Sequence, residues 1–343
     1  MPETMKAVDV RGGAGPASAL FINAETPRPT PGAGQVLVKV SAFGLNRMDL
    51  LQREGKYPLP PQAPKTLGVE FSGVIESLGD FSASASTDAD GIPFKKGDAV
   101  FGLAYGDAYA EYIAVSARML MHKPAGLTHE QAAGIPETFI TATQALHLVG
   151  GFAKGDRVLW HAGASGVSIA GAQLARRAGA GAVFSTAGSD DKCAFLREEL
   201  GVDGAFNYKT QDWAEEVRRA TGGRGVDLIV DFVGADYFSK NMDAAAQEGR
   251  IVCLGLLSGA VVKEVNVAQL LFKRLRIEGS TLRARDEEYQ GMLRDRLEEC
   301  LPQFETGELK VFVDKVLSWE QIQEAHELLE KNVTRGKIIC TIP

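Results

Sequence analysis

From about Pro136 the chain alternates between short apolar runs and longer amphipathic stretches, and no other feature restricts its fold as much. "DRVLWHAG" precedes the helical pattern "SGVSIAGAQLARRAG", and "AGAVFSTAG" precedes "SDDKCAFLREELG". "GAFNY" precedes "TQDWAEEVRRATGG", "VDLIVDFVG" precedes "YFSKNMDAAAQEG", and "RIVCLGLLSG" follows. A strand that is apolar along its length needs cover on both faces, which intervening helices supply. The pattern predicts an α/β domain with a doubly wound parallel sheet over residues 134–285.

The flanking segments read differently. Residues 1–133 are strand-rich, with runs such as "QVLVKVSAFGL" and "AEYIAVSA" between Gly/Pro punctuation. "DFSASASTDADGIPFKKGD" has no apolar period and predicts a surface insertion. "DEEYQGMLRDRLEECLPQFETGEL" reads as one long amphipathic helix. A closing strand, helix and short strand then return to the first domain, giving 1–133 with 286–343 as a second body.

Lys and Arg number 37 against 44 acids, a net charge of −7, which excludes a general attraction to nucleic acid or anionic lipid. No apolar run approaches the roughly 18 residues of a membrane span, and "MPETMKAVDVRGG" lacks the apolar core of a secretory signal. Four cysteines lie far apart with no C-x-x-C pair, so neither a disulfide framework nor a zinc knuckle is expected. His122, His129, His147, His161 and His326 show no metal-ligand spacing. These features point to a metal-free chain in the reducing cytoplasm.

The first strand-to-helix turn, "HAGASGVSIAG", resembles the dinucleotide fingerprint G-x-G-x-x-G, with Gly163 in the first place but Ser165 and Ser168 in the other two. Outward-pointing backbone N–H groups and a helix N-terminus are what a pyrophosphate needs there. Ser165 is small and can offer a hydroxyl; Ser168 falls at the helix-packing position without an evident reason. A carboxylate about 20 residues on, which would hold the ribose 2′-OH of NAD, is replaced by Ala187 and Gly188. Ser189, Lys192 and Tyr208 follow and suit the 2′-phosphate of NADP, while Ser189 also reads as a helix N-cap with Asp190 and Asp191 behind it.

With these residues in view the chain resembles the zinc-independent quinone oxidoreductases of the medium-chain dehydrogenase/reductase superfamily, in the branch of the p53-inducible enzyme and zeta-crystallin. The likeness spans nearly the whole chain, most specifically in "LNRMDLLQREGKYPLPP", "GVEFSGVIESLG", "AAGIPETFITATQALHLVG", "HAGASGV", "TAGSDDK", "FNYKTQDW" and "LLFKRLRIEGSTLRARD". It implies a chaperonin-10-like β-barrel interrupted by a Rossmann domain, a cleft between them, NADPH as cofactor and an edge-to-edge homodimer. It places Gly163, Ala164, Ser165, Gly166 and Val167 on the pyrophosphate, and Gly188, Ser189, Lys192 and Tyr208 at the 2′-phosphate. Asn46 and Thr141 come near the nicotinamide or its ribose. Val233, Gly234, Gly255 and Leu256 follow the reactive half, Leu282 lies beside the nicotinamide, and Asn332 approaches from the tail. Zinc-dependent relatives carry a barrel cysteine, a G-H-E triplet and a second cysteine; here stand Asn46, Gly68-Val69-Glu70 and no cysteine in "PETFITATQALH".

Without a metal, an unactivated ketone is a poor hydride acceptor. A quinone or an alkene conjugated to a carbonyl is already electrophilic and needs only hydrogen bonds to its developing oxyanion. Tyr57, on the Pro-stiffened loop "GKYPLPP", and Asn46 are the candidate catalytic groups, with loop packing and a turn as their structural alternatives. Glu70 reads as the partner of a buried Arg or Lys. The sequence therefore favours an NADPH-dependent quinone reductase, with an enal/enone reductase and a non-catalytic NADPH-binding protein as alternatives.

Overall fold

A computed structural model describes residues 3–81 and 94–343. Most of the expected insertion at 80–98 falls outside the described residues. The chain forms two compact units: residues 1–140 with 283–343, and residues 141–282.

In the second unit six strands form one all-parallel sheet. Across it lie Gly204–Asn207, Ala182–Ala187, Arg157–Trp160, Val226–Asp231, Ala245–Cys253 and Arg276–Gly279. In chain order that is third, second, first, fourth, fifth, sixth, so the winding reverses between Arg157–Trp160 and Val226–Asp231, where such sheets bind ligands beyond their carboxyl ends. Val226–Asp231 is buried at every residue. Leu159, Phe184, Ile229 and Ile251 from four strands meet Trp213 and Val217 from the helix Trp213–Ala220. That helix is fixed locally: the Asp212 carboxylate accepts the N–H of Ala214 at 3.1 Å and of Glu215 at 3.4 Å, and Arg218 and Arg219 sit at its carboxyl end. Burying Val217 contributes about 1.5–3 kcal/mol.

The first unit carries a seven-stranded sheet around Gln35–Gly44, which pairs antiparallel with Glu70–Leu78, Tyr112–Ser116 and Lys337–Thr341. The tail does return to the first segment, with Ile339 opposite Gly44 and Thr341 opposite Ala42. Thr4–Val10 and Leu20–Pro27 form a separate antiparallel pair.

The compact units divide at 140/141 and 282/283, a few residues from the 133/134 and 285/286 read from the sequence. The start of the helix Pro136–Thr143 is held by the first unit, through Glu137 N–H on Glu70 (2.9 Å) and Phe139 edge-on to Phe304 (4.8 Å). Arg283 is held there too, by Tyr105 and Gln52. The single long helix of the tail is broken into Glu287–Glu298 and Leu301–Glu305. Pro302 lacks an N–H, and its ring would clash with the carbonyl four residues back.

Candidate functional site

In the second unit the strand Arg157–Trp160 leads to the helix Gly166–Arg177. The left-handed residue of the turn is Ala162 (φ 48°), not Gly163. Gly163 is required by space, since a Cβ there would lie 2.7 Å from the Ser185 Cβ and 2.9 Å from Leu196. Ser165 is the N-cap and accepts the Ser168 N–H at 3.4 Å. Its hydroxyl proton, expected to face a phosphate, is directed instead to the Ser168 hydroxyl at 3.1 Å. Ser168 in turn donates to the His161 carbonyl at 2.7 Å and is fully buried. The serine without a reason in the sequence thus ties the helix start to the end of the first strand. Close helix–strand approach occurs one turn later, where a Cβ on Gly171 would lie 2.2 Å from the Trp160 ring. Ala164 is buried, whereas Ser165, Gly166 and Val167 are half-buried. The first-turn N–H groups of Gly166 and Val167 have no intrahelical acceptor.

The strand Ala182–Ala187 ends at Gly188 and Ser189, the N-cap of Asp190–Glu198, whose side chain accepts the Lys192 N–H at 3.3 Å. Tyr208 follows Gly204–Asn207 and is 45% exposed. A Cβ on Gly188 would meet the Tyr208 hydroxyl at 2.6 Å, so the place of an acidic residue is filled by a phenol from the neighbouring strand. Asp190 does not stand against this position electrostatically alone: its carboxylate accepts from Asn207 Nδ2 at 2.8 Å.

Where the winding reverses, a buried polar chain joins these loops. Thr186 Oγ1 lies 2.9 Å from His161 Nδ1, and His161 Nε2 lies 2.7 Å from Asn241 Oδ1. Asn241 Nδ2 donates to Asp231 at 3.0 Å, which assigns the His161 proton to Nε2. Asp231 also accepts from Val233 N–H at 2.7 Å and Gly234 N–H at 3.3 Å, bending the chain through Gly234 at φ 86°. Burial holds the imidazole below its ordinary pKa, in the neutral form this chain of donors requires. Nothing in the expected site residues pointed to His161, Asn241 or Asp231. The available signal was a polar group inside each of two apolar strand patterns, "VLWHAG" and "LIVDFVG". Gly255 admits no Cβ without meeting the Phe232 carbonyl at 2.9 Å. Leu256 is 59% exposed, and Leu282 and Thr141 are buried in the same unit.

The first unit gathers a second constellation. Asn46 caps the helix Arg47–Arg53, with its N–H on Asp49 at 2.8 Å. Its amide donates to Glu70 at 2.9 Å and accepts from Lys337 at 2.8 Å. Lys337 and Glu70 form an ion pair at 2.5 Å, with side chains 5% and 0% exposed. Glu70 therefore has the buried cationic partner expected of it. Tyr109 donates to Asp49 at 3.0 Å, and the Arg283 guanidinium lies over the Tyr57 ring at 5.4 Å. Asn332 stands apart, exposed, left-handed at φ 53° and paired with Arg47.

Burial, reinforced by Glu70, pushes the Glu137 carboxyl from its ordinary 4.5 up to about 8. Burial likewise raises Asp49 from 3.8 to about 6, against the hydrogen bonds from Asn46 and Tyr109. The folded state therefore holds these protons more tightly than the unfolded chain. Their stabilisation is fully present below the unfolded values and is lost as pH rises through about 6 for Asp49 and about 8 for Glu137. The thermal midpoint should fall between pH 6 and pH 9 (roughly spanning the upper transition), and Glu137→Gln should flatten that fall. An equal slope in wild type and variant would contradict the assignment.

Residues 32–125 match the family model of the alcohol dehydrogenase GroES-like domain, and residues 166–298 that of the zinc-binding dehydrogenase. Quinone oxidoreductase of Homo sapiens is 30% identical over 340 residues, covering 98% of each chain. The chain belongs to the medium-chain dehydrogenase/reductase superfamily. Among solved structures of this superfamily, an NAD-dependent alcohol dehydrogenase is 33% identical with a TM-score of 0.84, covering 99% of this chain and 100% of that one. Mycobacterial Rv1454c complexed with NADPH is 28% identical with a TM-score of 0.84, covering 98% and 100%. CurK enoyl reductase has the same TM-score of 0.84 at 28% identity, covering 99% and 100%.

The superfamily's zinc does not fit these residues. Its expected positions hold Asn46 and the buried, apolar Val69, and the Lys337 ammonium already stands on the oxygens of Asn46 and Glu70. A dinucleotide does fit. The helix N-terminus at Gly166, the glycine-lined turn at Gly188 and the clamped loop at Val233–Gly234 all lie beyond carboxyl ends of parallel strands.

Proposed function

We propose that this oxidoreductase of the medium-chain superfamily uses NADPH to reduce quinones. The observation that carries the cofactor reading is the contact between Gly188 and Tyr208. It sets Tyr208 and Ser189 at the ends of two adjacent strands, where an acidic side chain at 188 would have to displace the exposed phenol. In this reading Gly163 to Val167 hold the pyrophosphate, and Ser189, Lys192 and Tyr208 hold the 2′-phosphate. Val233, Gly234, Gly255, Leu256, Thr141 and Leu282 line the reactive half. The cofactor supplies a hydride when bound. This chain's residues orient it, and Tyr57 donates a hydrogen bond to the acceptor oxygen. Burial raises the Tyr57 pKa, which keeps that donor protonated at neutral pH.

Titration with both nucleotides tests the cofactor reading. NADPH should bind at least about tenfold more tightly than NADH, a difference near 1.4 kcal/mol, and Lys192→Glu should abolish the preference. Equal binding of the two by the wild type would overturn it. Turnover of a quinone panel against an alkenal panel decides the acceptor. The likeness to an enoyl reductase supports conjugated enones as the second reading.

The division at 140/141 and 282/283 is proposed to separate a catalytic from a nucleotide-binding domain. A homodimer is supported by the exposed Val267, Leu271 and Phe272 (63%, 71% and 73%) beside the edge strand Arg276–Gly279, to be checked by sedimentation. Four free thiols suit the cytosol, and no helix among the described residues is long and apolar enough to cross a membrane.

A further inference from the structure

The buried polar chain that starts at Asp231 has a fixed direction, and it runs on past Thr186. Asn241 Nδ2 donates to the Asp231 carboxylate, so Asn241 turns its Oδ1 to His161, whose single proton then sits on Nε2. His161 Nδ1 is left to accept, and the Thr186 hydroxyl 2.9 Å away is its donor. A hydroxyl has one proton, so Thr186 accepts in its remaining hydrogen bond, the one with the Tyr237 phenol. Burial first, and the neighbouring Tyr208 next, hold Tyr237 above the ordinary phenol pKa, so that proton is present at neutral pH. Thr186, His161, Asn241 and Asp231 are each at most 1% exposed, whereas Tyr237 is half-buried. Tyr237 is thus where the chain reaches the surface of the second unit. The turn that Asp231 bends through Gly234 delivers it, with the Tyr237 N–H on the Gly234 carbonyl at 3.0 Å. Its ring packs on His161 (4.7 Å) and Trp213 (4.9 Å) and stands 6.2 Å from the ring of Tyr208. A phenol held this way, with its proton directed inward, offers an incoming molecule lone pairs and no donor.

We propose that Tyr237 selects the base of the nucleotide: its oxygen accepts from the 6-amino group of adenine and disfavours a base with a carbonyl there. This rests on the reading of these strand ends as the pyridine-nucleotide site, with Tyr208 at the 2′-phosphate. The base hangs from the ribose carbon next to the one bearing that phosphate, so a phenol one ring away from Tyr208 stands at the distance of the base. Ribose hydroxyls both donate and accept, and would gain nothing from a proton held inward. The adenine amine only donates, which matches an oxygen that only accepts. Every group involved belongs to the second unit. A merely structural Tyr237 would hold the loop equally well and draw no distinction between bases.

Titration of the full chain with NADPH and with its hypoxanthine counterpart, in which a carbonyl replaces the amine, tests this without turnover. Wild type should bind NADPH roughly 3- to 10-fold more tightly, the range of one neutral hydrogen bond. Tyr237→Phe keeps the ring packing and should bring the two affinities together. Thr186→Val removes the group that takes the phenol's proton, so the phenol is free to donate outward. The preference should then move toward the carbonyl base, although Tyr237 itself is untouched. Thr186→Ser keeps a hydroxyl and should keep the wild-type preference, and with Tyr237→Phe it decides the matter if the valine variant does not fold. A preference that survives in Tyr237→Phe overturns the proposal, as does a folded Thr186→Val variant that discriminates like wild type. Equal binding of the two bases by the wild type overturns the role of Tyr237 alone, whereas a wild type that binds no pyridine nucleotide overturns the parent reading together with it.

Discussion

Lys337→Met should destabilise the first unit by about 3–5 kcal/mol, the usual result of removing one member of a buried ion pair. For a body of this size that is a drop of roughly 10 °C in thermal midpoint. The magnitude follows from what remains. Glu70, fully buried, would keep only the Asn46 amide and the Glu137 N–H, and the Leu45 carbonyl would lose its 2.6 Å donor. Adding Glu70→Gln to Lys337→Met should recover part of the loss, because a neutral amide needs no counter-charge. Calorimetry of the two single variants and the double variant measures the coupling. A single-variant loss below about 1 kcal/mol, the range of exposed pairs, would contradict the burial on which the argument stands.

Asp231→Ala is the second large effect. The substitution strands three donors at once, namely Val233 N–H, Gly234 N–H and Asn241 Nδ2, all at the end of a central strand. Breaking a buried network of this kind costs about 3 kcal/mol. Since the same carboxylate bends the chain at Gly234, affinity for the pyridine nucleotide should fall at least about tenfold. Asp231→Asn keeps the shape and should lose less in both respects. Thermal melts paired with nucleotide titration separate the two effects, and an Ala variant that melts and binds like wild type would remove Asp231 from any positioning role.

The parallel sheet was legible through its inner strands Arg157–Trp160, Ala182–Ala187 and Val226–Asp231, mostly apolar runs that need cover on both faces, whereas the edge strand Arg276–Gly279 (RIEG) is polar and largely exposed and gave no such signal. The return of the tail to the first unit was legible for a similar reason, in the closing strand "GKIICTIP". The helix 287–305 was overextended because the amphipathic pattern continues through Pro302, and periodicity alone outvoted the proline. In the loop leading to Gly166 the packing that holds each residue was not visible in the sequence. Gly163 is set by Ser185 and Leu196, which are distant in sequence, and Ser168 by a carbonyl seven residues back. Glu70 disclosed its need for a cation, yet Lys337 lies more than 260 positions away and nothing local marks it. Arg283, Glu137 and Asp49 acquire their character from burial, which a single sequence does not display.

The contact between Gly188 and Tyr208 ties together two positions that stand 20 residues apart in the chain. A side chain at 188 would meet the phenol oxygen at 2.6 Å, and the half-exposed tyrosine would have to swing outward to admit it. The residue chosen at 188 therefore sets the rotamer at 208, and a substitution at one position is read out at the end of the neighbouring strand.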